Sequence, residues 1–451
     1  MSDNLKNRKL EEIDQKCLWH PFTQMKEWEE EPPLIIESAE GSYLTDIYGK
    51  HYIDGVSSLW VNVHGHKKKE IDGAIKKQLN KVAHSTLLGL SNVPAAELAG
   101  KLMEIAPDGL TRVFYSDSGS TAVEIALKMS FQARQLMGQT SKTKFIALKE
   151  AYHGDTVGAV SVGGMDLFHK IFKPLLFDAV RVMAPFCYRC EKNLTHPSCK
   201  LACLSDLEKT MKKNHQTVAA LIMEPLVQGA AGIITHPEGY LKGVRDLCNR
   251  YDIHLILDEV ATGFGRTGQM FASMNEGVSP DLMAVAKGIT GGYLPLAATI
   301  TTEEIYNAFK GEYGEYKTFF HGHTYTGNPL ACAAALANIE LFEKEATIET
   351  LGEKTDYLSK KLERFRTLSH IGDIRQKGFM VGLELVMDKS QKTEYPPEDR
   401  MGHKVIIEAR KKGVIIRPLG NVVVLMPPLS ISKKEIDMLV DVVFEAVKSV
   451  T

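Results

Sequence analysis

Between residues 112 and 287, five short apolar runs alternate with longer stretches patterned for helix: RVFYS (112–116), KFIAL (144–148), AALIME (219–224), HLILDE (254–259) and LMAVAK (282–287). Short runs of this kind read as buried strands, and strands separated by helices imply right-handed crossovers into a mostly parallel α/β sheet. In the helical stretch TAVEIALKMSFQARQLM, Val123, Ala126, Leu127 and Phe131 are expected on one apolar stripe. Such a sheet binds its ligands beyond the carboxyl ends of its strands, so the residues at which each run stops become the first candidates for chemistry.

The flanks follow other patterns. Residues 1–60 read as an irregular lead-in broken by Pro21, Pro32 and Pro33, with SYLTDIYG and HYIDGVSS as a small antiparallel sheet turning at Gly49-Lys50. Beyond Pro329 come the helical LACAAALANIELFEKE and a charged helix toward Arg366. Strand-like GFMVGLEL and NVVVLMPPL then bracket a helix near 401–412. The expected organisation is a large domain over 61–335 and a smaller α+β domain over 336–451, to which 1–60 contribute. A chain of 451 residues is long enough for two or three packed units.

Lys and Arg number 54 against 56 Asp and Glu, a net charge of -2, which gives no basic field for nucleic acid or an anionic membrane. The start, MSDNLKNRKLEEIDQK, is charged, and no stretch has the roughly 18 apolar residues of a membrane span. The expected location is cytoplasmic. Seven cysteines do not make a disulfide framework in a chain this long.

The run ends carry the chemistry. Asp258 closes a buried strand, where a carboxylate is costly unless it meets a cation or a donor. Taken alone, the Asp-Glu pair reads by default as a helix-capping Asp with a loop Arg. Lys287 closes another, with three glycines in the next five residues; desolvation turns a lysine there toward a nucleophilic amine. YSDSGSTAVEIALK (115–128) is strand, turn and helix, so the amides of Gly119, Ser120 and Thr121 open a helix and suit an anion. AYHGDT sets Tyr152 and His153 at a strand exit, where a ring can stack on a planar ligand. A phosphate cradle, a stacking ring, a carboxylate and an amine are together the set that pyridoxal 5'-phosphate requires.

DEVATGFGRTG, with Lys287 lying 29 residues beyond Asp258 in AKGITGG, resembles the signature of the class III aminotransferases of fold type I. The resemblance runs from WHPFTQM to RPLGNVVVLMPPL. It implies pyridoxal 5'-phosphate as cofactor, with Lys287 bonding it covalently and moving a proton and Asp258 pairing with its ring nitrogen. Gly119 and Ser120 would bind its phosphate and Tyr152 would stack on its ring. His323, in FFHGHTYTGNP, would contact the cofactor, and Thr324 would reach its phosphate from a neighbouring subunit, which implies a homodimer with shared active sites.

Ala261 stands where the ornithine, acetylornithine and aminobutyrate branches usually have Gln. WHPFTQM, VSSLWVNVHGH and IIRPLG resemble instead the branch of biotin synthesis. That resemblance implies small-molecule substrates: ping-pong transfer of an amino group to 8-amino-7-oxononanoate, giving 7,8-diaminononanoate. Phe22, Trp60, Tyr152 and Gly322 would line the substrate pocket, and Arg417 would hold a carboxylate through two parallel hydrogen bonds. Phe22 and His323 replace the Tyr and Pro typical of members using S-adenosylmethionine and resemble the bacillary branch, part of which uses lysine; the donor stays open between the two. An ω-amino acid:pyruvate aminotransferase is the alternative enzyme. A non-catalytic pyridoxal-binding regulator is the alternative from another class, though no helix-turn-helix or basic arm accompanies it.

Cys187, Cys190, Cys199 and Cys203 have the spacing C-x2-C-x8-C-x3-C. Four thiolates could close a tetrahedral structural zinc site. The central spacer is short for a common zinc module, so free thiols on an excursion, with no metal, are the expectation.

Overall fold

Each of the five apolar runs forms a strand of one sheet, and two further strands join them. The computed structural model describes residues 3–451. The sheet contains β1 (Leu110–Ser116), β2 (Lys144–Leu148), β3 (Val180–Val182), β4 (Val218–Met223), β5 (His254–Asp258), β6 (Leu282–Val285) and β7 (Ala297–Thr302). Their spatial order is β1-β7-β6-β5-β4-β2-β3. β7 runs antiparallel to both its neighbours, and the remaining pairings are parallel. Every residue of β4, β5 and β6 is buried, as befits strands with helices on both faces.

The helix Gly119–Leu136 packs on this sheet through Ala122, Val123, Ile125, Ala126 and Ala133, all fully buried. Phe131 was expected on that stripe and is 38% exposed. At about 100° per residue it stands roughly 140° around the helix from Ala126, which puts it outside the buried face.

The N-terminal segment also departs from the expected irregularity. Asp3–Cys17 is a helix, because its Lys, Leu, Glu and Gln residues favour one and Pro21 lies beyond its end. Strands Ile36–Glu40, Tyr43–Asp46 and His51–Asp54 form the expected antiparallel sheet. Val414–Ile415 then pairs in parallel with His51–Asp54, so the two ends of the chain share one sheet. A second antiparallel sheet contains Ile371–Lys377, Met380–Asp388, Val422–Leu425 and Arg417–Leu419, with the helix Met401–Lys411 packed beside it. No helix among the described residues is long and apolar enough to cross a membrane.

Candidate active site

The exits of β1, β2, β4, β5 and β6 converge on an open cavity of about 430 Å³, which Trp60 and residues 290–296 also line. Lys287 is the first residue beyond β6 except for Ala286, and it holds the left-handed conformation (φ +45°) that a non-glycine residue adopts at a cost. Its amine sits 5.1 Å from the centre of the Trp60 ring. Burial lowers the lysine pKa, opposed by Asp258 and Glu224 and aided by Arg266. The result is an amine tuned toward its unprotonated, nucleophilic form.

Asp258, the last residue of β5, is 4% exposed. Its Oδ2 accepts a hydrogen bond from Nδ1 of His153 at 2.7 Å and its Oδ1 accepts the Val260 amide at 3.0 Å. The neighbouring Glu259 is also buried but faces away. It accepts the Thr262 hydroxyl at 2.6 Å and the amides of Ala272 and Ser273 at 3.0 and 2.8 Å. The side-chain alternation of a strand therefore sends one acid to the cavity and the other into the core.

At the exit of β1, Ser118 caps the helix Gly119–Leu136 and its hydroxyl accepts the Thr121 amide at 3.3 Å. Of the three amides expected to face an anion, Thr121's is therefore taken by the cap. Those of Gly119 and Ser120 have no acceptor among the described residues. A Cβ on Gly119 would lie 2.6 Å from Val260, and one on Gly154 (φ +118°) would lie 2.0 Å from the Ser120 hydroxyl. Only glycine lets these loops meet and form the cradle.

Tyr152 lines the cavity, and its hydroxyl donates to Asp155 at 2.7 Å. Trp60 is 6% exposed, with no partner for its indole N–H. Arg417 begins an edge strand and is half-buried, close enough for Tyr152 to offset the fall in its pKa that burial causes. Among the described residues no carboxylate pairs with it.

The remaining expected residues lie outside the cavity wall. Phe22 is 58% exposed and meets Phe168 edge-on at 5.3 Å, which in turn meets Tyr152 at 6.2 Å. Gly322 and Thr324 are exposed, and half-buried His323 stands 3.9 Å from the Asp117 carboxylate. The chain thus brings together Lys287, Asp258, Gly119, Ser120, Tyr152 and Trp60, with Arg417 near Tyr152, and leaves out Phe22, Gly322, His323 and Thr324.

Three further residues join the site. His153 was visible as Tyr152's neighbour but not as the partner of Asp258, and its Nε2 is buried without a partner. Glu224, visible only as the end of a run, faces the cavity, and Asp155 holds Tyr152. Arg266 donates to the carbonyls of Pro427 at 2.8 Å and Asn62 at 2.6 Å, and burial, opposed by Asp54, lowers its pKa to about 10.

The four cysteines of the excursion line a separate cavity of about 20 Å³, and all are free thiols. Burial pushes Cys203 up to about 11, favouring its protonated form. Among the described residues no group of three or more His, Cys, Asp or Glu is arranged to hold a metal ion.

A partly desolvated lysine, a strand-end carboxylate and a helix-capped anion cradle around one cavity fit pyridoxal phosphate, and with this sheet they define a fold type I transferase of that cofactor. Residues 24–447 match the model of the class III aminotransferases, and the chain belongs to that family. It is 55% identical over 445 residues to an adenosylmethionine-8-amino-7-oxononanoate aminotransferase of Nitratidesulfovibrio vulgaris, covering 98% of this chain and 82% of that one. A protein of the same name from Geobacter sulfurreducens is 54% identical, with 98% of both chains covered. Among solved structures, the enzyme of that name from Methanocaldococcus jannaschii superposes with a TM-score of 0.94 at 50% identity, covering 98% of this chain and 99% of that one. An amine transaminase from an uncultivated Pseudomonas species, in its PLP-bound form, gives 0.92 at 36% identity, covering 97% and 99%.

Proposed function

We propose that this aminotransferase moves an amino group from S-adenosylmethionine or lysine to 8-amino-7-oxononanoate, giving 7,8-diaminononanoate for biotin synthesis. The observation that carries the reading is near-full-length identity above 50% to enzymes named for that acceptor. Arg417 supports it, because a half-buried guanidinium without an internal carboxylate suits a substrate's carboxylate.

Pyridoxal phosphate, when bound, supplies an aldehyde and an electron-withdrawing ring that stabilises negative charge on the carbon next to nitrogen. The residues supply the rest. Nζ of Lys287 anchors the cofactor, then takes the proton from the amine-bearing carbon of the donor and later returns one to the acceptor. Asp258, oriented by His153, keeps the ring nitrogen protonated. The free amides of Gly119 and Ser120 receive the phosphate, and Tyr152 and Trp60 confine the substrate.

The loop with Gly322, His323 and Thr324 works from the second subunit of a homodimer. Beside it stand Tyr313 (94% exposed), Phe320 (73%) and Tyr325 (62%), and Leu88 is 90% exposed elsewhere on the surface. Large exposed apolar groups of this kind suit an interface between protomers.

A donor screen tests the function. With 8-amino-7-oxononanoate as acceptor, S-adenosylmethionine or lysine is expected to yield the diamine in steady turnover. Turnover of β-alanine with pyruvate, and no diamine from either donor, would establish the ω-amino acid reading instead.

A further inference from the structure

Glu224 follows β4 and is 4% exposed, yet it has no cationic partner within ion-pair distance among the described residues. Its Oε2 accepts the Tyr152 amide at 3.3 Å and its Oε1 accepts the Gly229 amide at 2.8 Å. Gly229 in turn supports Trp60: a Cβ there would lie 3.1 Å from the indole ring and 3.6 Å from Oε1 of Glu224. One buried side chain therefore ties the loop carrying Tyr152 to the turn beneath Trp60, in the wall of the cavity that holds Lys287.

We propose that Glu224 is a positioning residue that fixes Tyr152 and the Trp60 wall by accepting one amide on each carboxylate oxygen, and that it holds both only when ionised. A carboxylate offers two acceptors. The neutral acid converts one oxygen into a hydroxyl donor, which faces an N–H donor badly, and the longer bond to Tyr152 is the one surrendered.

Burial raises the Glu224 pKa to about 7, with Asp258 adding to the rise and His153 and the two amides opposing it. The titratable groups around it are His153 and Tyr152 from the β2 exit, Asp258 from β5 and Lys287 from the β6 exit. A group titrating there is ionised roughly tenfold more at pH 8 than at pH 6. Tyr152 therefore loosens as the pH falls through neutrality. The inference rests on the cofactor reading but not on the identity of the substrate.

Two measurements test it. In the wild-type apo-enzyme, hydrogen exchange of the peptide containing Tyr152, corrected for intrinsic rates, is expected to lose roughly tenfold in protection from pH 8 to pH 6. Unchanged protection overturns the proposal, whether or not any cofactor binds. In E224Q, whose amide mimics the neutral acid, the ratio of variant to wild-type Kd for pyridoxal phosphate should fall from roughly ten at pH 8 to about one at pH 6. A ratio that is constant with pH, at any value, marks a merely structural role and overturns the proposal.

Discussion

The rim of the cavity built by the exits of β1, β2, β4, β5 and β6 is assembled within one chain. There Asp258 is bonded to His153, Tyr152 to Asp155 and Glu224 to two amides. The segments at Phe22 and 322–324 stand mostly exposed and line none of the cavity, reaching its wall only where His323 stands 3.9 Å from the Asp117 carboxylate. The difference has a mechanical origin. Parallel strands in hydrogen-bonded register hold their end residues to within fractions of an ångström, as bond-making requires. Loops on a single chain cannot do so until something packs against them. Chemistry sits on the sheet, and in the proposed dimer closure falls to a second chain.

The largest expected effect falls on the sheet rim. Lys287→Ala should cut transamination by at least roughly 10³-fold, because it removes both the cofactor anchor and the group that moves the proton. Borohydride reduction followed by mass spectrometry should show the cofactor retained covalently at position 287 in the wild type and not in the variant. Retention elsewhere would move the reacting centre off β6.

Next comes Arg417→Ala, expected to lower kcat/KM for the keto acid by roughly 10- to 100-fold, mostly through KM, the worth of a charge-assisted pair. Cofactor Kd should stay within about twofold, since Arg417 lies near Tyr152 rather than near the phosphate cradle. A fall in kcat alone would mean that the guanidinium acts on the reacting atoms.

Lys287 and Asp258 also mark how far the sequence could be read. Lys287 and Asp258 were legible because a charged group at the end of an apolar run has no bland explanation that survives two occurrences with compatible chemistry. The parallel sheet was legible from the spacing of its runs, but β7 was not: AATITT carries the same apolar pattern in either direction, and its antiparallel placement depends on its neighbours. His153 needed the fold, because the pairing with Asp258 spans 105 residues of sequence. Phe131 failed for a simpler reason, an error of angle around a helix. The loop at Gly322, His323 and Thr324 was found only through family resemblance, and no property of its own sequence says which chain's cavity it serves.

Thr324→Ala sharpens that question. It should weaken cofactor binding by roughly tenfold, the net worth of about one hydrogen bond to a charged group. Complementation gives the sharper readout. If the loop acts across a dimer, mixed oligomers of Lys287→Ala and Thr324→Ala chains contain one site with both native residues. Activity should therefore exceed that of either variant alone. No gain on mixing, in oligomers shown to have exchanged subunits, would return Thr324 to its own chain and erase the contrast between the rims.

The smallest effect belongs to Phe22→Tyr. Phe22 reaches the cavity only through Phe168, which meets Tyr152 at 6.2 Å, so a new phenol stands one ring away from the wall. It adds a single donor at a half-exposed position, worth at most about 1 kcal/mol, or roughly fivefold. The ratio of kcat/KM for S-adenosylmethionine to that for lysine should shift within that range, with cofactor Kd unchanged. A cofactor Kd altered tenfold or more would place Phe22 in mechanical contact with the sheet-built rim, and the division between a rigid rim and a borrowed one would no longer hold at this corner.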